Sequence, residues 1–106
     1  MKLVTAIVNR KDANKVCDAL MANRFTFTKM ATMGGFLKAG NVTLFIGTED
    51  AKVETVIAII RKNSARRIES IKDPDMLRYA ATPESGAVMV GGATVFVTNV
   101  ERFEKM

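Results

Sequence analysis

The fold is decided by the stretch Phe25-Thr-Phe-Thr-Lys-Met-Ala-Thr-Met-Gly-Gly-Phe-Leu-Lys-Ala-Gly-Asn-Val-Thr-Leu-Phe-Ile46, in which a glycine-rich segment separates two strand patterns. Phe25 and Phe27 alternate with polar residues, which is the period-2 pattern of a half-buried strand. If both rings face helices, Thr26 and Thr28 face the other side of the sheet. The run 42–46 predicts a second strand, which we expect Gly47 to end.

The segment between these strands, Thr32-Met-Gly-Gly-Phe-Leu-Lys-Ala-Gly-Asn-Val-Thr43, carries an apolar pair, Phe36-Leu37, among three glycines. Glycine lets the backbone turn freely and come close to a ligand. The neighbouring residues give Phe36 little to pack against. Two interpretations follow: a hydrophobic plug against another subunit, or a flat platform for a nucleotide base.

Working outward, apolar periodicity predicts the remaining elements. Residues 3–8 form a β-branched apolar run typical of a buried strand. Residues 13–21 and 53–60 have the 3–4 spacing of amphipathic helices, the first ending at Asn23 and the second starting near Glu49-Asp50. Further strands are predicted at 68–71 (weakly), 88–90 and 93–98, with a long loop over 72–87 and a polar tail over 101–106. The order is that of an α+β, ferredoxin-like βαββαβ sandwich with a long loop before the last strand.

Composition narrows the function. The 106 residues fit a single domain, and no apolar run approaches the roughly 20 residues of a membrane span. The first eight residues read as a strand and not as a signal peptide. One cysteine fits a reducing cytoplasm, and with no histidine the chain lacks both the usual general base and conventional zinc ligands. We therefore expect a cytoplasmic protein with no bound metal or cofactor.

Charge distribution favours an anionic ligand. The formal net charge is +5, and residues 19–48 contain no acidic side chain while including Arg24, Lys29 and Lys38. A glycine loop in such a positive field suits a phosphate-bearing molecule. The cations at 61–67 are typical of a solvated helix end.

Three strands are apolar on both faces, as the adjacent pairs Ala6-Ile7, Leu44-Phe45 and Val95-Phe96 indicate. Two helices cover only one face of such a sheet, so the other face is expected to pack against further copies of the chain. Two other function classes are disfavoured. The third strand lacks the alternating aromatic and basic residues of an RNA-binding sheet, and the first turn lacks the glycine cradle of a small phosphate-ester hydrolase.

The segment 32–43, the run Val90-Gly-Gly-Ala-Thr-Val-Phe-Val97 and the opening Met1–Val8 together resemble the cyclic-di-AMP receptors of the PII-like signal-transduction superfamily. The similarity covers residues 1–106 as a single PII-like domain, except for 72–87. It implies a cytoplasmic homotrimer without catalytic activity that binds cyclic di-AMP in clefts between subunits. Loops 33–40 and 72–87 would then respond to the ligand and change contacts with a downstream protein. A PII-like sensor of ATP or ADP is the alternative.

The resemblance also assigns residues to the ligand. Phe36 matches the family's adenine-contacting aromatic residue, and Leu37 matches its neighbour in the pocket. Asn41 matches a polar contact to the base or phosphate, and Thr28 matches a strand hydroxyl that faces the cleft. The further positions are Gly35 in the loop, Gly47, which leaves room for the base, and Gly91 and Gly92, which line the cleft.

One position departs from the family pattern, because Thr26 stands where related chains carry an arginine. A hydroxyl cannot replace the bidentate, permanently charged guanidinium. Arg24, expected on the same strand face, is the candidate substitute. The ligand or its affinity could differ accordingly.

Overall fold

A computed structural model describes residues 1–32, 40–70 and 87–106. Its helices are α1 (Arg10–Ala22) and α2 (Val53–Asn63), the latter preceded by a 3-10 turn at Asp50–Lys52. Its strands are β1 (Lys2–Asn9), β2 (Thr28–Thr32), β3 (Asn41–Thr48), β4 (Arg67–Ser70), β5 (Ala87–Val90) and β6 (Ala93–Asn99).

The main sheet has the order β2-β3-β1-β6, and each neighbouring pair is antiparallel. Strands β1 and β2 both run antiparallel to β3 and are therefore parallel to each other, with α1 as the crossover connection. This small α+β arrangement is compatible with the predicted ferredoxin-like fold. β4 and β5 form a separate antiparallel pair between α2 and β6.

The helix boundaries follow local chemistry. The Asn9 side chain accepts a hydrogen bond of 2.8 Å from the Lys11 backbone N–H and so caps the start of α1. At the other end, the Asn23 backbone N–H donates to carbonyls of the last turn, which confirms the predicted end of the helix. In α2, Ser64 follows the last residue and its hydroxyl donates back to the Ile60 carbonyl.

The core lies between the helices and one face of the sheet. Alternate residues of β1 and β3 are buried there against both helices. The buried apolar residues are Val4, Ala6, Val8, Ala13, Val16, Cys17, Leu20, Val42, Leu44, Ile46, Val53, Val56 and Ile60. Phe25 and Phe27 pack on this core while Thr26 is exposed, so the predicted alternation of inward rings and outward hydroxyls is confirmed.

Two predicted boundaries are wrong. β2 begins at Thr28, where pairing with β3 starts, so residues 25–27 precede the strand instead of forming it. Gly47 does not end β3, because it pairs with Leu3 inside the strand. The predicted strands near 68–71 and 88–90 are present as β4 and β5, and the loop residues 72–86 lie outside the described residues.

No helix in the described part of the chain is both long and apolar enough to cross a membrane.

Candidate functional site at the open face of the sheet

The face of the sheet opposite the helices is here called the open face, and no helix in the described part of the chain packs against it. Register places Thr28, Phe45, Thr5 and Phe96 in one row across all four strands of this face. Phe96 is 55% exposed, and Met30, two residues beyond Thr28, is 48% exposed. The open face therefore combines hydroxyl groups with large apolar side chains that are accessible to another molecule.

A polar pocket of about 380 Å³ lies at one end of the open face. It is lined by Ile7, Asn9, Asn41, Arg66, Gly91, Gly92, Ala93 and Thr94. Asn9 and Asn41 are register partners on β1 and β3, so their side chains stand next to each other. No acidic residue is among the described residues that line this pocket, which can thus offer cationic and amide donors to an anion.

The turn into β6 shapes one wall of the polar pocket. Gly91 and Gly92 both have left-handed backbone angles, with φ of 85° and 80°, a conformation that glycine adopts at little cost. The Gly92 backbone N–H donates to the Ser64 carbonyl just beyond α2. A β-carbon at Gly92 would lie 2.7 Å from Arg66 Cγ, so the Arg66 stem crosses directly over this glycine.

A second group of predicted residues lies at the other end of β3. Gly47 is exposed, and a β-carbon added there would find no atom within 4 Å. Thr28 is exposed on the adjacent strand and pairs with Phe45, two residues before Gly47. Asn41 and Gly47 are six residues apart on one strand, or about 20 Å.

A family model for "Cyclic-di-AMP receptor" matches residues 1–106, the whole chain. The chain belongs to the cyclic-di-AMP receptor family. The fold is also similar to a crystal structure of a functionally unknown protein from Pediococcus pentosaceus ATCC 25745. That protein is 43% identical over 99% of this chain and 96% of its own, with a TM-score of 0.77.

The structure of this family member brings three of the predicted ligand residues together. Asn41, Gly91 and Gly92 line the polar pocket, and Thr28 and Gly47 lie near each other at the far end of β3. Gly35, Phe36 and Leu37 lie outside the described residues.

Arg24 is the candidate substitute for the arginine missing at position 26, and its expected place on a strand is wrong. Arg24 is in the turn after α1, with a positive φ of 65°, and its backbone N–H donates to the Met21 carbonyl. It is not one pleat back on the strand, because β2 starts four residues later. Thr26, also before β2, is exposed. The prediction that these two side chains contact the ligand remains untested.

Sequence reasoning missed five of the eight residues that line the polar pocket, Asn9 and Arg66 among them. The sequence pattern assigns no ligand role to Asn9 and places Arg66 among the cations of a solvated helix end. No local pattern could have identified them, since Asn9 reaches the pocket through its pairing with Asn41 and Arg66 through its contact with Gly92. Cys17 is buried in the core, and burial raises the pKa of its thiol, which disfavours the reactive thiolate.

Proposed function

We propose that this chain binds cyclic di-AMP and acts as a non-enzymatic signal-transduction protein in the cytoplasm. The observation that carries the proposal is the match of the whole chain to the cyclic-di-AMP receptor family. The donor-rich polar pocket supports it, because Asn41, Gly91 and Gly92 were assigned to the ligand independently of their position in the fold. A bis-phosphate ligand suits an acid-free pocket next to a cationic side chain.

We further propose that the ligand lies between subunits of a PII-like homotrimer. Two groups of assigned residues, one around Asn41 and one around Gly47, are about 20 Å apart along β3. In this proposal, a ligand that is held against one group on one subunit meets the second group on a neighbouring subunit. The uncovered open face, with Phe96 and Met30 exposed, supports an association of this kind.

In this proposal, the loops over 33–40 and 72–87 change conformation when the ligand binds and alter the contacts with a downstream protein. Phe36 would stack on an adenine, with Leu37 and Gly35 beside it. Thr28 would face the cleft, and Gly47 would leave room for the base.

Calorimetric titration with cyclic di-AMP, ATP, ADP and cyclic di-GMP tests the ligand assignment. We expect saturable binding of cyclic di-AMP at one site per subunit and much weaker binding of the other three. Preferential binding of ATP or ADP would favour the alternative sensor, and no heat with cyclic di-AMP at high concentration would refute the proposal. Light scattering coupled to size exclusion tests the trimer, which a monomeric mass would contradict.

The Phe36→Ala variant tests the base platform. Loss of a stacked base should weaken binding by about 1–3 kcal/mol. Phe103→Ala is the matched control, because Phe103 is 62% exposed in the tail after β6. If Phe36→Ala binds as tightly as the unmodified chain but changes the oligomer mass, Phe36 is an oligomer plug instead.

A further inference from the structure

The backbone two residues before Arg66 is fixed by hydrogen bonds to two different elements. Ser64 lies there, and its hydroxyl is buried and donates to the Ile60 carbonyl of α2. The Ser64 carbonyl in turn accepts the Gly92 backbone N–H, which fastens the turn before β6 to the end of α2. The backbone just before Arg66 is thus tied to both a helix and a strand turn.

Gly92 directs the Arg66 side chain. A β-carbon at position 92 would lie 2.7 Å from Arg66 Cγ and 3.3 Å from its Cδ, closer than side chains normally approach. The bare glycine therefore provides the groove in which the arginine stem runs. The same residue pair lines both the polar pocket and the neighbouring pocket of about 220 Å³, so the stem lies where the two pockets meet.

The polar pocket places further hydrogen-bond donors beside Arg66, with which an anion could be bound. The Asn9 side-chain oxygen is committed to the α1 cap, so what Asn9 can offer a ligand is its NH₂ group. Arg66 contributes N–H donors in a planar fork that matches two phosphate oxygens at once. With no carboxylate among its described lining residues, the pocket combines one permanent positive charge with amide donors.

We infer that Arg66 is a ligand-contacting residue that binds a phosphate of the cyclic dinucleotide, and that Gly92 is its positioning residue. The inference rests on the proposed function. It supplies, from beyond α2, a guanidinium that Thr26, which precedes β2, cannot provide. Selectivity for a charged, phosphate-linked ligand then depends on the junction of α2 and β6.

The test is calorimetric titration of cyclic di-AMP into Arg66→Gln, Arg66→Lys and the control Arg61→Gln. Arg61 is an exposed arginine near the end of α2 that lines a neighbouring pocket of about 220 Å³ but not the polar pocket. Loss of a charge-assisted hydrogen bond should weaken binding by about tenfold or more in Arg66→Gln. Arg66→Lys should fall between, since a lysine keeps the charge but not the fork, and Arg61→Gln should stay within about twofold.

Salt dependence and Gly92→Ala give two further readouts. If Arg66 meets a phosphate, the affinity of Arg66→Gln should fall less steeply with added salt than that of the unmodified chain. Gly92→Ala should weaken binding as Arg66→Gln does, and combining the two should cost little more than either alone. Circular dichroism and oligomer mass check each variant, and the two Arg66 variants alone decide the matter if Gly92→Ala fails to fold.

The outcomes separate the two proposals. If the unmodified chain binds no cyclic di-AMP, the proposed function fails and the role of Arg66 fails with it. If the unmodified chain binds and Arg66→Gln matches Arg61→Gln in affinity and salt dependence, only the inference about Arg66 is overturned.

Discussion

The two faces of the main sheet come from the same strands but occupy opposite environments. On β1, Val4, Ala6 and Val8 lie under the helices with at most 1% of their surface exposed. Their neighbours Leu3, Thr5 and Ile7 lie on the open face and remain partly exposed. Among the described residues, the helices bury one face of the sheet and leave the other face partly exposed to solvent.

Because of this difference, the residues that stabilise the fold and the residues of the candidate site lie on different faces of the sheet. The covered face contains nearly all of the buried apolar side chains and explains why the chain folds. The open face carries the polar pocket, Thr28 and the accessible Phe96, which are the groups proposed to bind a ligand or another subunit. Substitutions on the two faces should therefore have separable effects.

The largest effect is expected from Leu44→Ala on the covered face. Leu44 is fully buried, and truncation there should lower the free energy of unfolding by about 2–5 kcal/mol through lost burial and a cavity. Urea denaturation followed by circular dichroism measures it. The control is Thr43→Ala on the open face of the same strand, expected to change stability by less than about 1 kcal/mol. Equal losses would show that the two faces are energetically alike.

The next largest effect concerns assembly. Phe96→Asp places a charge on the open face, on the edge strand β6, and should shift the chain from oligomer to monomer, since burying an unpaired charge in the interface is costly. Light scattering measures the mass, and circular dichroism should show unchanged secondary structure. Phe103→Asp, in the exposed tail, is the control. An intact oligomer in Phe96→Asp would mean that the open face is not the interface.

A smaller effect is expected at Gly47, where added volume should affect only the ligand. A β-carbon there meets no atom within 4 Å, so Gly47→Ala should leave the thermal midpoint unchanged or slightly higher. If a base packs against this glycine, cyclic di-AMP should bind about 1 kcal/mol more weakly, or worse. Calorimetric titration measures the affinity, and a thermal melt of the same sample measures the midpoint. Unchanged affinity would remove Gly47 from the site.

The smallest effect is a pH dependence beside the sheet. The Met1 amino group lies 3.2 Å from Asp50 and donates a hydrogen bond that lowers the pKa of this carboxyl below its ordinary value of 3.8, with Lys2 helping. Because the folded-state pKa is the lower one, the stabilisation is present above pH 3.8 and is lost as the pH falls through the folded-state value.

Asp50→Asn should accordingly melt slightly below the unmodified chain at neutral pH, and the gap should close in acid. The effect is small because Asp50 is solvent-exposed. Thermal melts from pH 2 to pH 7 measure it, with Glu49→Gln as the control at a neighbouring exposed carboxylate. A gap that persists at the lowest pH would exclude this ion pair as its cause.

Much of the fold could be predicted from periodicity, because helices and strands impose spacings that burial makes visible. Residues 13–21 and 42–46 predicted α1 and β3, and Asn23 does end α1. The failures lie where tertiary contacts override local pattern. Phe25 and Phe27 alternate because both rings pack on the core, although the chain there has not yet entered β2. Gly47 remains in β3 because it pairs with Leu3 of β1.

The candidate site divides in the same way. Asn41, Gly91 and Gly92 could be assigned from motif resemblance, and the structure places all three around one pocket. Asn9 and Arg66 could not be assigned, because each enters the pocket through a partner that is far away in the chain.

By itself, the sequence determined the order of helices and strands, the apolar faces of α1 and α2 and the glycine motifs, since these depend on residue type and local spacing. Only the tertiary structure decided that Asn9 stands beside Asn41 and that Arg66 crosses Gly92. Strand register and the left-handed turn at Gly91-Gly92 are properties of contacts between distant segments. Those contacts place one of the chain's cationic side chains, Arg66, at the polar pocket.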